Sequence, residues 1–333
     1  MFVLTLYYAT IFSMKQFFIK FLYILFMLLL ISLISFFAMH LAPNSFLSAG
    51  ELNPNMTPEA IAKLQAVYGL DKPLFEQYID WIKNILTLKF GISFVTGGDV
   101  IDEILKRLPI TLFINIVSLI FVFVIALFLG ISAALSQNSF IDKIIQQIAL
   151  FSFATPSFYL ALLFIGFFSV YLELFPIAGL HSLNINATDT LAYYKDMLWH
   201  LVLPISITIF VSLGALISYI RSLTLEILKS DFYFFAQTRA LSKIELLKYY
   251  ILPNLLPPIV TLLGLSLPGL IGGSVILEAI FGIDGMGQLF FSSTLSRDYP
   301  VIMGILIISA FLTLIGNVVA DLILLKLNPY SKN

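Results

Sequence analysis

The chain has 333 residues, 60% hydrophobic, 15% aromatic and 11% charged, with a formal net charge of −1 and a mean hydropathy of +1.01. This composition excludes an ordinary soluble domain and leaves a polytopic membrane protein. Cysteine is absent, which excludes disulfides and thiolate metal sites.

Residues 1–13 are apolar and uncharged, whereas Met14-Lys15-Gln16 begins with a basic flank, so translation is expected to start at Met14 with 1–13 an upstream extension. Apolar runs follow at Phe21 to Leu41, Ile110 to Leu135, Ile144 to Tyr171, Leu201 to Ile220, Leu255 to Leu277 and Val301 to Leu325. About 20 helical residues at 1.5 Å each cover a hydrocarbon core of ~30 Å, so each run is long enough to span. None alternates as a barrel strand does, and the reading is an all-α protein with six transmembrane helices. The first run, preceded by Lys15 and Lys20, is too long for a signal-peptide core and serves as an uncleaved anchor.

After the first span, the segment 42–108 carries Pro43, Pro54, Pro58, Pro73 and Trp81. Thr57 ahead of Pro58-Glu59-Ala60, with Ile61, Leu64, Ala66 and Val67 at helical spacing, predicts a short helix; a second is predicted over Leu74 to Leu86. The connector Ser136 to Lys143 is too short to dock a large partner alone. Between spans four and five lies a charged island, Glu226 to Pro257. Ser230 or Asp231 can cap a helix with Phe232, Phe235 and Ala236 on one side, and Ser242-Lys243-Ile244-Glu245 fits a capping box for a second helix. That helix is expected to end by Pro253, with Pro257-Pro258 resetting the chain into span five. From these residues alone the island is either a docking loop or an amphipathic segment anchored among headgroups by Phe232, Tyr233, Phe234 and Phe235.

Short connectors on one side hold Lys15, Lys20, Lys143, Arg221, Lys229, Arg239, Lys243, Lys248, Lys326 and Lys332, against Lys195 and Arg297 on the other. The positive-inside rule then puts both termini in the cytoplasm, with Lys106 and Arg107 the opposing local signal. Gly264, Gly269, Gly272 and Gly273 recur along span five, where small residues favour helix packing or a subunit interface over substrate contact. Glu278 and Asp321, near opposite ends of spans five and six, are read as snorkelling or pairing with a neighbouring chain. Asp298 is read as a partner of Arg297 or a cap for the helix starting at Pro300. His40, His181 and His200 read as interfacial polar residues, and neither a metal site nor a catalytic constellation is expected.

The island resembles the EAA loop of ATP-binding-cassette importer permeases, specifically the dipeptide/oligopeptide/nickel family, with Ala236, Ala240, Leu241, Ser242, Asn254 and Pro257 in the motif's places. The similarity runs over nearly the whole chain from Met14: HLAP at His40, TPEAIAKLQAVYGLDKP at Thr57, GISF at Gly91, KRLP at Lys106, ATPSF at Ala154, GLIGGSVILEAIFGIDGMG at Gly269 and SRDYP at Ser296. Where the family usually has Gly this chain has Ala240, and the family's histidine in the following helix is Tyr249.

The resemblance implies one permease domain over 14–333, with an outer loop at 42–108 and a cytoplasmic coupling loop at 221–254. Asp231, Phe235, Ala236, Arg239, Ala240, Leu241 and Ser242 would dock an ATPase subunit. It further implies a homologous second permease, two ATP-binding subunits using ATP and magnesium, an external solute-binding protein and a bacterial inner-membrane location, with lipid but no nucleic acid as partner. The chain itself has no Gly-x-x-x-x-Gly-Lys-Ser/Thr phosphate loop. Peptides are the expected cargo, with nickel or a nickel chelate as the alternative. A secondary transporter is the rival class; it calls for ionisable residues at mid-membrane, and spans one to four have none.

Overall fold

Apolar runs in lipid satisfy their backbone as helices, and among the described residues every regular element is helical apart from one isolated bridge between Ile92 and Asp99. The computed structural model describes residues 22–37, 72–183, 185, 189–239, 241–266, 269–272 and 274–327, with only the helical backbone described for 271, 272 and 320–327. The helices are α1 Leu22–Phe37, α2 Leu74–Leu86, α3 Val100–Leu135, α4 Phe140–Ala154, α5 Ser157–Tyr171, α6 Thr190–Leu228, α7 Asp231–Gln237, α8 Lys243–Ser266, α9 Gly269–Gly272, α10 Val275–Ile280, α11 Met286–Ser296 and α12 Tyr299–Leu327. Helix α2 has the bounds expected from its pattern.

Four described stretches are each long and apolar enough to cross a bilayer: Val100–Leu135, Thr190–Leu228, Lys243–Ser266 and Tyr299–Val319. Helices α4 and α5 would make a fifth only as a bent pair, at 103°. The third expected span, Ile144 to Tyr171, is thus a pair of helices bent at Thr155-Pro156. Pro156 biases its predecessor out of the helical region, and Thr155 sits extended at φ −86, ψ 123, so the chain turns there. Helix α1 is apolar but shorter, and both ends of the first expected span lie outside the described residues. The Thr57 helix, His40 and the side chain of Asp321 also lie outside them.

The chain divides into two compact units, one holding the described residues up to Lys106 with Ser292–Leu314, the other Arg107–Phe291 with the residues from Ile315 on. In the first, α1 meets α2 through Ser32 Oγ and Tyr78 OH at 2.8 Å and through Phe36, packed edge-on against Tyr78 and tilted on Trp81. Asp298, 2% exposed, stands just before α12, and its carbonyl accepts from Ile302 N–H at 3.1 Å, but its carboxylate turns elsewhere. Its carboxylate accepts from Ser93 Oγ and from the backbone N–H of Phe94 at 3.0 Å, so the GISF and SRDYP motifs close on each other. The carboxylate thus serves the turn at Ser93-Phe94, a partner that the sequence reading did not name. Asp298→Ala leaves buried donors unanswered, and a loss of about 1–3 kcal/mol is expected in thermal unfolding of the purified chain.

The second unit holds two apolar cores. Ile114, Leu160, Ala161, Leu201, Leu203, Ile207, Leu277, Phe281 and Ile283 join α3, α5 and α6 to α10 and the turn after it. A second cluster runs from Val122 and Ala126 of α3 through Ile145 and Ala149 of α4 and Ile217 and Ile220 of α6 to Tyr233, Ala236, Leu246, Ile251 and Leu255. That second core fixes the position of the charged island.

Candidate functional site

Helix α6 has 39 residues, ~58 Å at 1.5 Å per residue, well beyond what a bilayer core requires. Its surplus carries the chain to Lys229 and Ser230, where the next helix begins. Ser230 is extended at the cap position, Tyr233 and Phe234 donate their N–H groups to its carbonyl, and Asp231 places a negative charge on the first turn.

Which face of α7 is buried differs from the sequence reading. Tyr233 at 6% and Ala236 at 1% exposure face the second core, whereas Phe232, Phe234 and Phe235 are exposed at 43%, 63% and 64%. Ala236 thus keeps its buried place, but Phe232 and Phe235 do not share it. An i,i+3 pair beginning at Tyr233 brings a ring and a methyl under the helix, and the remaining rings have nowhere to go but outward. Phe234 and Phe235 meet edge-on at 6.1 Å.

Past α7, Arg239 is exposed, with Nη1 3.5 Å from the Tyr250 hydroxyl; Ala240 lies outside the described residues, and Leu241 is half-buried. The capping box forms in full: Glu245 N–H donates to Ser242 Oγ at 3.3 Å and Ser242 N–H donates to Glu245 Oε2 at 2.8 Å. The helix it starts does not stop at Pro253. It widens into a π segment over Leu247–Ile251 and continues through Pro253, Pro257 and Pro258 to Ser266. A wide turn just ahead of a proline relieves the clash with the preceding carbonyls, and Asn254 Nδ2 donates to Tyr250 O at 2.7 Å. The island is therefore one elbow, α7 plus the first turns of α8, whose inner side belongs to the same core as the long helices.

A buried ion pair braces the base of that elbow. Arg221 of α6 donates Nε to Asp142 Oδ1 at 2.7 Å and Nη2 to Oδ2 at 2.8 Å, a two-pronged pairing of fork and carboxylate. Asp142, 1% exposed at the start of α4, also accepts from Asn138 N–H and Gln146 Nε2, both at 2.9 Å. Sequence reading saw only a loop acid and a loop base; their pairing, 79 residues apart, has no local signature.

Glu278 is corrected as well. It lies in α10, past the end of the long helix, and at 3% exposure neither snorkels nor reaches outward. Its carboxylate accepts from Thr111 Oγ1 at 3.0 Å, from Gly287 N–H at 2.7 Å and from Gln288 N–H at 3.2 Å. Thr111 in turn accepts from Met286 N–H at 2.8 Å. A Cβ on Gly285 would fall on Glu278 Oε2 and Thr111 Oγ1, so the glycines of this motif make room for a buried carboxylate. Nearby, Arg107 Nε donates to Asp284.

Of the four glycines expected at packing positions, Gly264 is buried, an added Cβ on Gly269 would meet nothing within 4 Å, and Gly273 is outside the described residues. Gly272 ends α9. The close approach sequence reasoning missed is Gly214, where α6 meets α4. His200 is buried, its Nδ1 donating to Gly179 O at 2.9 Å, and Asp196 accepts from Ser182 N–H at 2.8 Å and Oγ at 2.6 Å. Among the described residues no group of three His, Cys, Asp or Glu could hold a metal ion.

Residues 126–331 match the family described as binding-protein-dependent transport system inner membrane component, and 14–115 match the N-terminal part of the same kind of component. The oligopeptide transport system permease protein AppB of Bacillus subtilis is 34% identical over 90% of this chain and 93% of its own. The dipeptide transport system permease protein DppB of Lactococcus lactis is 31% identical over 89% and 92%. The metal-staphylopine import system permease protein CntB of Staphylococcus aureus is 32% identical over 83% and 84%.

Proposed function

The chain belongs to the inner-membrane components of binding-protein-dependent transport systems, and on that footing we propose a peptide-importing permease worked through the elbow of α7 and α8. Membership makes it a multi-pass permease subunit of an ATP-binding-cassette importer, not an enzyme. ATP is used by other subunits.

One observation carries the coupling assignment: Tyr233, Ala236 and Leu246 on the inner side of the elbow lie in a single buried cluster with α3, α4 and α6. The opposite side exposes Phe232, Phe234, Phe235 and Arg239. A push on that outer side is passed to the long helices because close-packed cores transmit displacement rather than absorb it. A headgroup anchor would require no such insertion into the core. Asp231, Phe235, Ala236, Arg239, Ala240, Leu241 and Ser242 would then seat an ATPase subunit, Ala236 from the buried side of α7.

In this reading the domain runs over 14–333 with six spans and both termini cytoplasmic, 42–108 outside and 221–254 as the coupling loop. Partners are a homologous second permease, two ATP-binding subunits using magnesium and ATP, and an external solute-binding protein. Gly264, Gly269, Gly272 and Gly273 serve helix packing or the permease–permease interface. Peptide cargo is supported by the oligopeptide and dipeptide relatives; a metal chelate, as in the CntB name, is the second reading.

Arg239→Glu reverses a charge on the docking side and is expected to reduce co-purification of the ATPase subunits by about tenfold, a coupling of ~1.4 kcal/mol. Undiminished co-purification and uptake would overturn the assignment. For cargo, uptake of trialanine by the reconstituted importer, dependent on receptor and ATP, is the expected result; uptake of a nickel chelate in its place would favour the second reading.

A further inference from the structure

Helices α3, α6 and α8, with α9, enclose an open cleft of about 520 Å³ whose use nothing above assigns. Its size falls within the roughly 300–1,000 Å³ typical of small-molecule sites. Apolar walls from Val122, Phe123 and Leu216 alternate with Asn115, Ser118, Thr208, Ser212, Tyr219 and Ser266. Among the described residues, no carboxylate, amine, guanidinium or imidazole lines it.

Ser118 gives the cleft its direction. The residue is 2% exposed, and among the described residues its Oγ has no hydrogen-bond partner. A buried hydroxyl left so forfeits about 1–3 kcal/mol that a guest can return. Around it, the Asn115 amide nitrogen donates to Leu270 O at 2.7 Å, holding the side chain in place while its carbonyl oxygen stays an acceptor. Thr208 and Ser266 give their protons to the carbonyls of Pro204 and Leu262, both at 2.8 Å, so their oxygens also remain acceptors. The set offers hydroxyl donors and neutral acceptors, matching the C=O and N–H of a peptide group.

We infer that this cleft is the wall of the translocation path contributed by this chain, and that it holds passing cargo by neutral hydrogen bonds to peptide groups from Ser118, Asn115, Thr208, Ser212 and Ser266. The inference rests on the permease reading above and adds to it a place and a chemistry. Without charges the wall has no counter-ion for cargo side chains, so acidic, basic and neutral peptides meet it equally. Modest hydrogen bonds also suit a path that cargo must leave. A chelated metal would find no ionised ligand here.

The chain has no cysteine, so Ser212→Cys places a single thiol in it. The test uses the complete importer, already assembled in proteoliposomes, with labelled trialanine as cargo and a bulky water-soluble maleimide as the blocking reagent. Modification after assembly is expected to lower trialanine uptake by about tenfold relative to the same unmodified protein, and trialanine with receptor and ATP is expected to slow the modification. Because the complex has folded before it is blocked, misfolding cannot produce this result. Ser118→Ala is expected to weaken transport of acidic, basic and neutral tripeptides by a similar factor. Uptake within about twofold after full modification would overturn the cleft assignment while leaving the peptide reading intact. If the wild-type importer carried a nickel chelate and no trialanine, the peptide chemistry of the cleft would fall together with that reading.

Discussion

Replacing Gly214 with leucine is expected to leave no stable permease. A Cβ at this position of α6 would land on the carbonyl oxygen of Ala149 and within 2.8 Å of the Phe153 nitrogen, both backbone atoms of α4, which cannot swing aside as a side chain can. The contact is also chemically welded: Ser152 Oγ accepts from Gly214 N–H at 2.9 Å and donates to Phe210 O. That hydroxyl reaches both the donor and the acceptor of one α6 turn, which only a close neighbour can do. Pushing α4 away would break both bonds and open the core around Ala149 and Leu213. Overpacking alone costs about 1–3 kcal/mol, and lost bonds to buried groups add about 1–3 kcal/mol. Recovery of folded protein in detergent checks this; wild-type yield and melting temperature would contradict it.

Arg221→Ala should be nearly as severe. It leaves Asp142, 1% exposed, as a buried charge with only Asn138 and Gln146 to answer it, and removing one member of such a pair costs about 3–5 kcal/mol. The damage is mechanical too, since the pair ties the start of α4 to α6 about three turns before α7 begins. Arg221→Lys keeps the charge but loses the fork, so partial recovery of stability is expected, with uptake lagging behind it. Thermal unfolding and ATP-driven uptake, measured on both variants, separate the two effects. Equal melting temperatures for Arg221→Ala and wild type would refute the strut.

What could be read in the amino-acid order followed how local the determining interaction is. The capping box at Ser242 and Glu245 and the helix from Leu74 to Leu86 depend on neighbours within a few residues, and both formed as expected. The charge pattern of the island and its two capping signals mark the elbow in the sequence itself. Pro156 stood in view in ATPSF, but the reading of Ile144 to Tyr171 as a span named no bend; there a single proline turns the chain despite twenty-odd apolar neighbours.

Long-range pairings stayed hidden. Nothing near Asp298 announces Ser93, nothing near Glu278 announces Thr111 and the start of α11, and Asp142 with Arg221 is invisible without the fold. The α7 face was misjudged for a different reason: three of four consecutive aromatic rings are left outside, and hydrophobicity alone cannot choose among them. In the docking reading proposed above, these exposed rings form the surface that an ATPase subunit would cover.

Cross-linking from the elbow tests the coupling claim most directly. With no native cysteine in the chain, Phe235→Cys gives one thiol on the outward side of α7. In the assembled importer a short thiol cross-linker is predicted to join this position to an ATP-binding subunit, with the yield changing between nucleotide-free and ATP-bound states. Labelling of Phe235→Cys by an impermeant reagent from the external side of intact cells, with no ATPase adduct, would contradict the account.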